Sequence, residues 1–81
     1  MNASAEIGFY PLSGEYGRKI GDFILELEKC PEAVVTVQPM SSLLSGDYDQ
    51  MMDHLTKICR SFLEDGPAVI TFRISNACPA G

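Results

Sequence analysis

The chain is short of the features that mark many functional classes. No apolar run approaches the ~18 residues that a membrane-crossing helix needs, so no membrane partner is expected. The opening residues, MNASAEIGFY, lack a basic segment followed by a long apolar stretch, so no signal peptide is expected either. Six Lys and Arg stand against eleven Asp and Glu, a net charge of -5. The six are scattered, and binding to phosphate backbones needs them clustered, which argues against nucleic acid as a partner. Cys30, Cys59 and Cys78 make an odd number with no C-x-x-C pair, a poor disulfide framework that fits a reducing compartment. The one histidine, His54, is five residues from Cys59, a spacing that does not put two side chains on one helical stripe. Zinc wants about four converging ligands, so no metal site is expected. There is no G-x-G-x-x-G, P-loop, H-E-x-x-H or G-x-S-x-G. These absences predict a soluble, cytoplasmic protein that is not an enzyme and has no cofactor.

What remains is a globular composition, 46% hydrophobic and 21% charged over 81 residues, enough for one domain spanning 1–81. A domain this small buries only about 60% of the surface its unfolded chain exposes, so its core is marginal without added burial. Residues 4–12, SAEIGFYPL, alternate as a strand, with Ala5, Ile7 and Phe9 on one face and Glu6, Gly8 and Tyr10 on the other. From Glu15 to Lys29 the period lengthens, and Tyr16, Ile20, Phe23, Ile24 and Leu27 form one helical stripe, with Ser13 as the expected N-cap. Residues 33–40 are β-branched, and 41–46 read as a return strand broken by Gly46. Asp47 opens a second helix, with Gln50 completing a capping pattern and Met51, Met52, Leu55, Ile58, Cys59, Phe62 and Leu63 on its apolar side. Gly66-Pro67 stops that helix, and AVITFRIS alternates as the last strand.

The order β-α-β-β-α-β with right-handed crossovers predicts an α+β, ferredoxin-like domain, a four-stranded antiparallel sheet with two helices on one face. The uncovered face, with Gly8, Tyr10, Thr36, Gln38, Thr71 and Arg73, is too mixed for a sealed core and too sparsely charged for comfortable exposure. A homodimer or dimer of dimers, sheet to sheet, is expected to cover it.

Among residues able to carry chemistry, His54 reads as a solvated helical side chain and Cys59 as a core thiol, while Cys30 falls in the loop after the first helix. Cys78, beside Pro79, lacks an activating base and marks the end of the last strand near a pocket rim. The segment QPMSSLLSG interleaves Gln38, Ser41, Ser42 and Ser45 with Met40, Leu43 and Leu44. With Tyr10 and Phe72 it suits a flat heteroaromatic ligand, with apolar faces to stack and polar groups for the edge. A hairpin with a serine-rich turn is the simpler account of the same residues.

Three segments, GFYPLSGEYGRKI, SSLLSGDYDQMMDHLTKI and ITFRISNACPAG, lie in the order found in the repeat unit of the YkoF-like proteins, and the chain resembles that unit over nearly its whole length. The most specific pieces are F-Y-P near the start, the S-x-L-x-G-(D/S)-x-D run and the terminal C-P-x-G. The resemblance implies a ferredoxin-like unit and non-enzymatic binding of thiamine or its hydroxymethylpyrimidine moiety, as ligand rather than cofactor, in precursor uptake or salvage. Tyr10, Pro11, Ser41, Ser42 and the tail from Ser75 through Cys78 to Pro79 match the motif segments. Tyr10, Gln38, Met40, Ser41, Ser42, Ser75 and Cys78 are therefore the candidate ligand contacts. The resembling proteins carry two units in tandem and this chain has one, so the paired arrangement is expected from a homodimer. Two rivals belong to other classes: a regulatory or dimerisation module with no pyrimidine ligand, and a thiol enzyme or carrier using Cys78.

Overall fold

The computed structural model describes residues 1–38 and 41–77. Its elements run β1 (Asn2–Pro11), α1 (Tyr16–Glu28), β2 (Val34–Val37), β3 (Ser42–Asp47), α2 (Tyr48–Asp65) and β4 (Ala68–Ser75), the order expected. The strands form one antiparallel sheet in the order β2-β3-β1-β4, with both helices packed on one face. The C-terminal end of β1 is set by backbone chemistry. Pro11, which has no N–H, is its last residue, and the next hydrogen bond runs from the Leu12 N–H to the Pro67 carbonyl at 2.9 Å. β2 is half the length of the β-branched run that suggested it.

The alternation along β1 becomes a division between two environments. Ala5, Ile7 and Phe9 turn toward the helices and are nearly sealed. Leu44 joins them from β3, Phe23 and Leu27 from α1, and Met51, Leu55 and Ile58 from α2. Each large side chain buried this way contributes roughly 1.5–3 kcal/mol of transfer free energy. At the β1 end of this core three rings meet. Phe9 stacks on Phe23 with centroids 4.6 Å apart, and Phe62 stands edge-on to both at 5.4 and 5.1 Å.

The two helices start differently. In α2 the Asp47 carboxylate accepts the Gln50 N–H at 3.1 Å, as the capping pattern predicts. The N-terminal strand adds a second tie there, because the Tyr48 N–H donates to the Met1 carbonyl at 2.8 Å. In α1 the expected cap at Ser13 is not used. Gly14 takes a positive φ of 79°, a conformation glycine adopts without strain, and the helix begins after Glu15 with no side-chain cap. His54 is not the freely solvated side chain its sequence position suggested. It is half-buried, and its Nε2–H donates to the Glu26 carbonyl at 2.7 Å, tying α2 to the last turns of α1. Cys30 lies just past α1, in the loop where it was expected, and is buried there. Among the described residues, no helix is long and apolar enough to cross a membrane.

Candidate functional site

Two hollows meet at one end of the sheet. The first, about 100 Å³, lies under α1, between Phe9, Ile20, Phe23, Ile24, Val37 and Ser42. The second is an open groove of about 400 Å³ on the uncovered face, lined by Glu6, Gly8, Tyr10, Ser41, Thr71 and Arg73, with Phe72 at its edge. Tyr10, beside Gln38 and Ser41 at the mouth of the inner hollow, borders both, as does Ser41. Small-molecule sites commonly enclose ~300–1,000 Å³, so the groove has room for a heterocycle and the inner hollow by itself does not.

Strand alternation explains the division. Ser42 pairs with Val37 and Ile7 and so lies on the helix side, while its neighbour Ser41 takes the open side with Gly8 and Tyr10. The Tyr10 ring lies flat along β1. A Cβ added to Gly8 would sit 2.6 Å from the Tyr10 hydroxyl, so only glycine leaves space for the ring in this pose. The result is an aromatic surface pressed against backbone on a face otherwise short of large rings.

The hairpin turn supplies the polar rim. The Gln38 N–H donates to the Ser41 carbonyl at 2.8 Å, closing β2 onto β3. The Ser41 hydroxyl lies 3.1 Å from Glu6 Oε2 and 3.0 Å from Gln38 Oε1, and its single proton can serve either acceptor. Glu6 was not among the expected contacts. Its signal was available, since it is the one acid on β1, but only the fold shows that a serine 35 residues away reaches it.

Of the expected contacts, Tyr10, Gln38, Ser41 and Ser42 come together here. Ser75 lies elsewhere: it pairs with Ser4 at the opposite end of β4, about 20 Å along the strand from Val69, the partner of Tyr10. Its hydroxyl accepts the Ala77 N–H at 3.0 Å in a local turn. Met40 and Cys78 lie outside the described residues. A wider trough of about 660 Å³ separates the outer sides of α1 and α2. Two ion pairs there are already closed, Lys19 with Asp65 at 3.6 Å and Lys29 with Glu26 at 3.0 Å, and the ring among its described lining residues, Phe62, is engaged edge-on with Phe9 and Phe23. The described thiols are poor nucleophiles, because burial pushes the pKa values of Cys30 and Cys59 up. Among the described residues no group of three or more His, Cys, Asp or Glu is placed to hold a metal ion.

The family model of the YKOF-related family matches residues 2–81. The chain belongs to the YKOF-related family. No curated protein matches it in sequence. Among solved structures it is similar to the hypothetical protein MJ1052 of Methanocaldococcus jannaschii, with a TM-score of 0.81 and 19% identity over 99% of this chain and 84% of that one. Protein SP2199 of Streptococcus pneumoniae matches with a TM-score of 0.81 and 22% identity over 93% of this chain and 86% of that one. TM0486 of Thermotoga maritima, whose name gives it a provisional place in thiamine biosynthesis/salvage, matches with a TM-score of 0.82 and 15% identity over 93% of this chain and 83% of that one. At such identities the likeness establishes the fold.

Proposed function

We propose that the protein binds thiamine or its hydroxymethylpyrimidine moiety without making or breaking bonds, and serves the uptake or salvage of thiamine precursors. The observation that carries this reading is the groove where the Tyr10 ring lies over Gly8 beside Ser41 and Glu6. A flat pyrimidine stacks on the ring, and its amino edge meets hydroxyl and carboxylate acceptors. The thiazolium cation of thiamine gains further from the acidic balance of the chain. Family membership and the name of the Thermotoga relative support the same ligand class.

The protein works as a homodimer or a dimer of dimers in this reading. The uncovered face carries Val34 and Val69 at its two edges, both substantially exposed, and half-buried Leu43 between them. Pairing two such faces removes this apolar surface from water and encloses the groove between two copies. Isothermal titration with thiamine and with hydroxymethylpyrimidine tests the ligand, and saturable heat from at least one is expected. No heat from either at millimolar concentration removes the reading. Light scattering on the eluting protein tests the assembly, and a monomer mass at micromolar concentration rejects it.

A further inference from the structure

Glu6 and Arg73 are direct cross-strand neighbours on the uncovered face, and both line the groove. Such neighbours have Cβ atoms only ~4.5–5.5 Å apart, so an ion pair between them would be expected. None of the ion pairs among the described residues joins them. The reason lies on the other side of β1. Ser41, just before β3, holds Glu6 Oε2 at 3.1 Å, drawing the carboxylate toward β3 while Arg73 belongs to β4. The charges therefore stand side by side without closing on each other, and Tyr10 lies over Gly8 two residues along the same face. Among the described residues no other charged side chain lines this groove.

We infer that the groove is dipolar and selects a heterocycle bearing an amino group and an anionic group on adjacent ring positions. The inference rests on the pyrimidine-binding reading above. A carboxylate accepts from an amino group, and a guanidinium offers a planar fork of donors that matches a phosphate monoester. Because the two charges belong to neighbouring residues, the ligand's two groups must also be neighbours. Hydroxymethylpyrimidine phosphorylated on its hydroxymethyl oxygen satisfies this, since its amino group and its phosphate arm leave adjacent ring carbons. The phosphate monoester, rather than the free alcohol, is the preferred ligand. Chemically, the reaction that supplies it is the transfer of a phosphoryl group to the alcohol.

The test is titration of the intact protein with hydroxymethylpyrimidine and with its phosphate monoester. The monoester binds about tenfold tighter, the worth of one charge-assisted pair. Arg73→Gln, at an exposed position, abolishes that advantage, so that the monoester binds no tighter than the free alcohol, whereas Arg73→Lys keeps part of it. Glu6→Gln weakens both ligands together. Equal affinities for the two ligands, or an advantage that survives Arg73→Gln, overturn the inference while leaving pyrimidine binding intact. Failure of both ligands to bind the unaltered protein overturns the pyrimidine reading and this one with it. If Arg73→Gln lowers the oligomer mass and leaves the preference unchanged, the two charges serve subunit pairing and the inference falls.

Discussion

Leu43 and Leu44 are chemically identical neighbours in β3 that meet opposite fates. Leu44 faces the helices and is wholly buried beside Ala5, whereas Leu43 faces the open side across from Glu6 and is only half-buried. The same division runs along β1, where Ile7 is sealed and Tyr10 lies along the open side. The contrast shows that helix cover, not residue type, makes one face a core. The other face is left with the Tyr10 ring, hydroxyls and unclosed charges that suit a ligand or a second copy.

The matched leucines give the largest test. Leu44→Ala empties a site with no route to solvent and costs about 2–5 kcal/mol in urea unfolding. Leu43→Ala costs about 1 kcal/mol if the open face stays bare, from the area it half-buries. A Leu43 penalty equal to that of Leu44, growing with protein concentration, would show that a second copy covers the face.

Asp47→Ala asks how far the helix cover depends on its capped end. Loss of the bond to the Gln50 N–H costs about 1 kcal/mol by thermal or urea melting. Ser13→Ala, at the cap α1 does not use, changes stability by less than about 0.5 kcal/mol. Equal penalties at the two positions would contradict the difference between the helix ends.

On the open face, Gly8→Ala separates binding from folding. The new methyl displaces the tip of the Tyr10 side chain, which is free to swing toward solvent, so stability falls by under about 1 kcal/mol. Thiamine or hydroxymethylpyrimidine affinity falls about tenfold as the stacking surface moves. Unchanged affinity would separate the Tyr10 pose from the ligand.

The smallest expected effect is a pH dependence on the covered side. Burial raises the Cys30 pKa, so the folded state favours the protonated thiol. That contribution is complete below the unfolded value of about 8.5 and is lost as pH rises through the higher folded value. Above pH ~8.5 the unaltered protein should therefore lose more stability than Cys30→Ala. Parallel pH profiles would show that the thiol is not sealed under the helices.

Much of the architecture was legible along the chain. A period of two in β1 and β4, a helical stripe in α1 and α2, Asp47 at a helix start and Gly66-Pro67 at its end are local signals, and the elements formed where they lie. The cap at Ser13 misled because Gly14 turns the backbone between it and the helix. The candidate site was half legible. The serine-rich hairpin and Tyr10 announced themselves by residue type, while Ser75 shared a motif but lies at the other end of the sheet. Glu6 was missed because its partner Ser41 is 35 residues away.

By itself the sequence determined which segments become strands and helices, and which side of each is apolar, because those choices depend on residues one to four positions apart. Only the tertiary structure decided that Glu6 stands opposite Arg73, that Ser41 reaches Glu6, and that the Tyr10 ring settles over Gly8 beside them. Register between distant strands is set by the joint burial of one whole face, and no short stretch of chain carries that information.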